Sequence, residues 1–586
     1  MKTFTNSFFK KGVLVASCIA IFSNADAGNT FTAFTSGNFS STSTWMNGLM
    51  PTVLGVGDQI IVNAGVTLTL DQNVDVTPGS SLTIFGGGTV IGNTGKYISL
   101  EGTLAGAGTL TIDSMALNMG STIAYTGTVT AQRLSSMGTN IASSAAITVS
   151  NTLYLLSSNY NQSAGSLTMS NGATIIENGG SMMISGTATL TSSGSYNVRY
   201  LTSGTTGSEL SGSGLGTVEV NSGASSTVML NNDLNVTGTL MLTSGTLDLN
   251  NHNLTFSSNG SFSASGTGTI TSSSASNLTF ATSGNFTNGL RFTSGSNTVN
   301  NLTVNLGNNT SSVTLGGNLN VGGTLNLQSG MLNVGTNNLM LSSGATISGG
   351  SANSYVATGV GGMLTMNLAA GGTNTYQVGT MTHYAPVVLK ANSGSASGDV
   401  SVSVNDHVMA NGTTGSNLSS DALVDATWYV SSTATSNINL NMQVMWSANM
   451  EINSFDRTKA YISHYTNGSW DATTSASATT SGSMYVLSRN NITSLSPFAV
   501  MNKFPSSVAN VENESAVTVY PNPVTDMLHI KGANINTVNI YDVTGHLVKS
   551  AVVTNNTISV SELPAGYYNV RISGTEFSAV QHFVKQ

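Results

Sequence analysis

From Leu234 onward the chain repeats a short phrase: Leu234-Asn235-Val236, Leu240-Met241-Leu242, Leu247-Asp248-Leu249, Leu254-Thr255-Phe256. Within each triplet the apolar residues are two apart, so both project from the same side of an extended strand. Successive triplets start six or seven residues apart, and their joints (Thr237-Gly238, Thr243-Ser244-Gly245, Asn250-Asn251-His252) have turn chemistry. Strands this short with turns this frequent cannot enclose a core of their own. They bury one side only by stacking on copies of themselves, three strands to a coil of about 20 residues. The expected fold of residues 28–350 is therefore an all-β, parallel β-solenoid. A string of β-sandwiches is the alternative, but it calls for longer strands and a coarser period.

Internal similarity supports the stacking. Residues 228–254 align without a gap on residues 313–339 with about half the positions identical. Leu234 to Leu240 corresponds to Leu319 to Leu325, and looser echoes occur at Leu167, Met169, Ala188 and Leu190. The entrance, with Trp45, Gly48, Pro51, Asp58 and Leu68, resembles the opening of many secreted β-solenoid proteins. Trp45 is expected to cover the exposed end of the stack, because terminal repeats need a cap. A sugar-stacking platform is the other role weighed for it.

Only 7% of residues are charged while 39% are hydrophobic, with 65 glycines and a net charge of −8. This is not the composition of a disordered chain, and without a basic stripe nothing drives nucleic-acid binding. Lys2, Lys10 and Lys11 followed by the apolar Gly12–Phe22 form a signal peptide, too short to span a bilayer. Ala25 and Ala27 supply the small residues for cleavage, making Gly28 the expected mature start. Val15-Ala16-Ser17-Cys18 offers lipoprotein processing as the alternative, but the apolar run continues past Cys18. Cleavage at Gly28 leaves no cysteine, hence no disulfide, thiolate metal site or Cys nucleophile.

From about Ser351 the strands lengthen, as in Val400–Val404 and Ile438–Val444, and three of the four tryptophans (Trp428, Trp446, Trp470) gather. Alternation at this length predicts an antiparallel β-sandwich over residues 351–501. Its aromatics are expected in the core, with sugar binding the other role open to them. The acids Asp399, Asp406, Asp421, Asp425, Glu451, Asp456 and Asp471 lack the spacing of a calcium loop and are expected in solvated loops.

A polar linker (502–514) leads to a segment with four landmarks in order. Tyr520-Pro521-Asn522-Pro523 leads to Asp526; Tyr541-Asp542-Val543-Thr544-Gly545 follows. Then comes Leu563-Pro564-Ala565-Gly566 with Tyr568, and the chain stops at Lys585-Gln586. The prolines suit a strand-entry turn and the Asp–Gly and Pro–Gly segments suit tight turns, giving a small Ig-like sandwich over 515–586. This segment resembles the type A C-terminal sorting domain of type IX secretion cargo. The resemblance implies a type IX translocon and a sortase-like protease as partners, then attachment to surface lipopolysaccharide or release.

Nothing reads as a catalytic, cofactor or metal site. The seven histidines have no zinc-like spacing, and Gly95-Lys96 lacks the phosphate-loop pattern. A polysaccharide lyase or hydrolase is the rival, needing acids and a base on one face of neighbouring coils. Coils 150–350 are read as offering Glu177, Glu219, Asp233 and Asp248 with Arg199 and Arg291; the aligned repeat replaces Asp233 and Asp248 by Asn318 and Asn333. A third class, an ice- or crystal-face binder, would use threonine pairs such as Thr67/Thr69 and Thr187/Thr189. The expected function is a secreted structural or adhesive surface protein, its glycan or matrix ligand not readable from sequence.

Overall fold

The computed structural model describes residues 28–502 and 517–586, except positions 264, 284, 285, 360, 435, 533, 534, 554 and 575–577. Ala25, Ala27 and nearly all of the expected linker lie outside the described residues. The chain divides into two compact units, residues 1–502 and 503–586.

The first unit is a parallel β-solenoid with three strands per coil over residues 59–379. One coil runs Gln59–Val62, Thr67–Leu70, Val74–Val76, and the next Ser81–Ile84, Thr89–Gly92, Tyr97–Leu100. We call these three positions the first, second and third faces. Each strand pairs in parallel with its counterpart one coil on, as Gln59 with Ser81 and Thr67 with Thr89. Inward residues form axial columns: Leu234, Leu254, Leu278, Leu302, Leu325 and Ile347 stack in one line. Phe256 and Phe280 stack at 5.4 Å, with Phe286 edge-on to both at 5.1 Å. Joints take left-handed backbone where a turn demands it, as at Asn250 (φ 46°) and Asn251 (φ 67°).

The internal repeat does not superpose coil on coil. The column through Leu234 passes Leu325, whereas the aligned Leu319 pairs with Leu339 in a different column. The similarity is shifted by one strand position around the solenoid. The repeating unit is thus one strand and its turn, with the three faces interchangeable for packing.

Trp45 caps the stack as expected. It is buried, its Nε1 donates to the Phe39 carbonyl at 2.8 Å, and Phe39 packs edge-on at 5.1 Å. At the other end, parallel pairing continues beyond the change of texture at 351, to Val378–Gly379. Met363–Leu368 pairs in parallel with Asn338–Leu341 on one edge and antiparallel with Gly398–Asp406 on the other. The antiparallel strands that follow, up to Pro497–Asn502, therefore continue a solenoid sheet rather than starting afresh. Trp428 and Trp446 are fully buried here.

The second unit is a small antiparallel sandwich. Thr518–Tyr520, Met527–Lys531 and Thr557–Ser559 form one sheet; Leu547–Val552, Ile535–Tyr541, Gly566–Gly574 and Ser578–Lys585 form the other. Leu528, Ile530, Val538, Ile540, Val570, Ile572 and Phe583 fill its core.

Because each coil leans on its neighbours, a cavity at one level should loosen the levels above and below. Phe280→Ala is expected to cost about 3–5 kcal/mol. Hydrogen exchange should accelerate together across residues 254–304; acceleration confined to Leu278–Thr282 would contradict stacking as the source of stability.

Candidate functional site

With apolar residues turned inward, the second face presents a neutral surface. Along its N-terminal part, Thr67, Thr89, Thr109 and Thr128 follow one another in register, continued by Ala146, Ser166 and Thr189. Two residues along the same strands a second column runs Thr69, Ile91, Thr111, Thr130, Thr148, Thr168 and Thr191. Of the two pairs named from sequence, Thr67/Thr69 belongs to this array. Thr187 does not: it sits in the turn before Thr189–Ser192, and the pair on the strand is Thr189/Thr191.

Further along, the strands Leu234–Val236, Leu254–Ser258, Leu278–Thr282 and Leu302–Asn305 carry a shallow groove of about 410 Å³. Its floor is the column Asn235, Thr255, Thr279 and Thr303. Its wall is an amide ladder at the preceding corner. Asn253 donates its backbone N–H (2.9 Å) and Nδ2 (2.8 Å) to Asp233. Asn277 does the same to Asn253 Oδ1 (3.0 and 2.7 Å), and Asn301 to Asn277 Oδ1 (3.1 and 2.9 Å). The Thr324 backbone N–H closes the series on Asn301 Oδ1 at 2.8 Å. An amide suits each rung because it accepts from one coil and donates to the next. Asp233 stands at the end of the ladder, where only acceptors are needed. The hydrogen bonds from Asn253 hold its carboxyl below the usual range, with His252 Nδ1 at 3.5 Å adding to the effect. At another corner Asn318 accepts from the Asn338 backbone N–H at 2.8 Å. The Asp-to-Asn change across the aligned repeat preserves the acceptor. The ladder is legible in the sequence as Asn-Leu-Thr at 253, 277 and 301, a spacing that the apolar triplets do not mark.

The acids expected as catalytic candidates have structural surroundings. Glu219 pairs with Arg199 at 3.2 Å and accepts from Thr243 at 3.0 Å. Asp248 accepts from the Asn250 backbone at 2.8 Å, bracing a turn. Arg291 donates to the Gly266 carbonyl. Glu177 lies inside the solenoid, in the interior column Leu117, Ser136, Leu155, Glu177, Tyr200 and Val220. Glu209, overlooked in the sequence survey of acids, is a second buried carboxyl. It sits in the short turn Ser208–Leu210 and accepts from the Tyr200 hydroxyl and the Gly207 N–H, both at 2.6 Å. Neither Glu177 oxygen has a protein partner among the described residues. Burial, and then the charge of Glu209, push the Glu177 pKa up to about 9.

In the antiparallel part, several acids expected in solvated loops are paired instead. Glu451 takes Arg457 Nε and Nη2 at 2.8 and 2.7 Å, and Asp471 takes Arg489 at 2.8 and 2.6 Å. Asp425 holds His407 Nδ1 at 2.8 Å. No group of three or more His, Cys, Asp or Glu is placed to hold a metal ion among the described residues.

In the tail, the first landmark meets the chain end. Asn522 Nδ2 donates to the His582 carbonyl at 3.1 Å and its Oδ1 accepts from the Val584 N–H at 2.8 Å. The Val524 N–H bonds Val584, and the Gln586 N–H bonds Val524. The two prolines of Tyr520–Pro523 thus lie in a bend pinned to the last strand. The Val560 N–H donates to the Asp526 carbonyl at 2.7 Å. Asp542 Oδ1 accepts from the backbone of Thr544 and His546, and Gly545 takes φ 85°. Tyr568 donates to the Pro564 carbonyl at 2.9 Å, beside buried Leu563, and Lys585 is largely buried. Tyr541 pairs with Asn569, and Gly566 with Lys585.

Residues 518–586 match the family model described as a secretion system C-terminal sorting domain. They mark a type IX secretion sorting signal, and with it export to the medium or the cell surface. No curated protein and no solved structure matches the chain. Among the described residues no helix is long and apolar enough to cross a membrane.

The Glu177 carboxyl supplies a pH test. Its folded pKa lies above the ordinary 4.5, so the folded state binds the extra proton and stability falls as pH rises from about 4.5 to about 9. Glu177→Gln should flatten that decline and raise the melting temperature at pH 9. A variant with the wild-type pH slope would contradict the buried-acid assignment.

Proposed function

We propose that the exported chain is a structural or adhesive protein of the bacterial cell surface, its solenoid a rigid shaft that holds neutral amide and hydroxyl rows outward. The observation that carries this is the pairing of a sorting tail with an ordered Asn/Thr groove lined by only one charged residue, Asp233. Fixed rows of amides and hydroxyls match the hydroxyls of a glycan chain laid along the axis, and the shaft spaces them at strand intervals of about 4.8 Å. A ligand face with a single charge at one end also keeps affinity only weakly dependent on salt. The placement of Glu219, Asp233 and Asp248 in ion pairs, ladders and turns supports a non-catalytic role over the lyase or hydrolase alternative.

In this account the signal peptide is removed at Gly28 and the translocon takes the folded chain by its tail. A sortase-like protease then removes the tail, and the product is joined to lipopolysaccharide or released. The exposed apolar side chains Val552, Tyr567, Val580 and Val584 on one sheet of the tail offer a docking surface for the exporter.

Deletion of residues 515–586 should leave the protein in the periplasm, as read by fractionation and surface proteolysis. Normal surface levels of the truncated chain would overturn the export reading. The exported protein should bind immobilised glycans, and Thr279→Lys/Thr303→Lys should weaken binding about tenfold. Turnover of a polysaccharide that is lost on changing two acids would overturn the adhesive reading instead.

A further inference from the structure

The threonine columns on the second face are not explained by strand preference. Thr suits any strand, so preference alone would distribute it over all three faces of the same coils. It does not. The two outward columns of the first face read Gln59, Ser81, Thr103, Thr122 and Ile61, Thr83, Ala105, Ala124, with threonine at three of eight positions. Those of the third read Tyr97, Ser114, Arg133, Thr152, Thr174, Asn197 and Ser99, Ala116, Ser135, Tyr154, Ile176, Arg199, with threonine at two of twelve. On the second face, threonine fills eleven of the fourteen positions of the two columns over residues 67–191, with Ile91, Ala146 and Ser166 the rest. None is charged and none is aromatic.

The geometry is a grid. Pairing stays in register over these positions through seven strands; the bulge in this stretch falls after Ala131, beyond the columns. Neighbouring strands lie about 4.8 Å apart and residues two apart on a strand about 6.6 Å, so the array spans roughly 29 Å along the axis. Threonine is stiff about χ1, so the backbone lattice fixes where each methyl and hydroxyl sits. Thr109 with Thr128 (3.4 Å) and Thr168 with Thr191 (3.0 Å) share hydroxyl contacts. The side-chain hydroxyls of Thr67, Thr69, Thr89, Thr111, Thr130 and Thr148 have no protein partner among the described residues.

We propose that this face binds ice. Its two repeats lie close to the oxygen repeats along the two principal directions of the hexagonal ice lattice. Hydroxyls at those intervals take the places of lattice waters, and the methyls between them fill the gaps without competing hydrogen bonds. A charged side chain would carry a tightly held hydration shell that does not fit the lattice, and the face has none. A crystalline polysaccharide, the other periodic solid, presents flat sugar faces that call for aromatic side chains to stack on them, unlike a single glycan chain held by its hydroxyls in a groove, and neither column carries an aromatic. This inference concerns a stretch of the shaft separate from the Asn/Thr groove and stands whatever that groove binds.

The test uses the exported protein, slowly freezing a dilute solution and measuring its fraction in the ice, alongside grain coarsening in an annealed frozen film. Wild type should concentrate in the ice and arrest coarsening. Thr130→Lys/Thr148→Lys should lower both effects at least tenfold, while Thr279→Lys/Thr303→Lys in the groove should leave them unchanged. Melting temperatures establish that each variant is folded. If the lysine pair lowers melting, Thr148→Tyr alone, which adds bulk without charge, takes its place with the same expected loss. Exclusion of wild type from the ice, as for an inert protein, would overturn the proposal. So would full activity in the folded lysine or tyrosine variant, or capture of wild type by crystalline cellulose or chitin through this face and not by ice.

Discussion

A coil of this solenoid has no inside until another coil lies against it. Two inward apolar residues per strand leave upper and lower rims open, and the strand N–H and C=O groups find partners only one coil away. Stacking therefore decides the rest. It forces Leu, Val and Phe into axial columns, requires turns at every corner, and makes the ends the vulnerable points. Trp45 with Phe39 closes one end. At the other, Met363–Leu368 changes parallel pairing to antiparallel, so the sandwich strands serve as the second cap.

The same constraint explains what was legible in the sequence and what was not. Triplets such as Leu240-Met241-Leu242 announced inward pairs, and tight turns announced corners. The tail was legible because four landmarks fall in fixed order and each has a local job, as Asp542 does in its turn. Sequence alone could not place a strand on a particular face. Residues 313–339 repeat 228–254 at a different rotational position because any face accepts any triplet. Glu177, read from sequence as a candidate acid on an outer face, is misplaced by that reading for a related reason. An alternating pattern says which residues point together, yet Ile176 and Glu177 could each have been the inward one until pairing with Leu155 settled it. Glu209 sits in an irregular turn, outside the alternating triplets that mark inward positions.

Function follows from what stacking leaves free. Inward positions are committed to packing, and the corners to ladders such as Asp233–Asn253–Asn277–Asn301. Only the outward columns can vary, and here they vary by face: threonine over residues 67–191, then Asn and Thr along the groove. Some of the charge is neutralised locally, as in Arg199–Glu219 and Arg489–Asp471. A shaft of this kind displays ordered neutral rows over a long distance, and the sorting domain supplies the route that brings them outside the cell.

The proposal that the shaft is permanent and the sorting tail is removed after export stands at the centre of this reading. Mass spectrometry of the carboxy terminus of surface-derived protein tests it most directly. The account predicts a mature chain ending before Thr518, with the solenoid and sandwich intact. Recovery of surface material that runs through Gln586, in cells whose exporter processes other cargo, would contradict it.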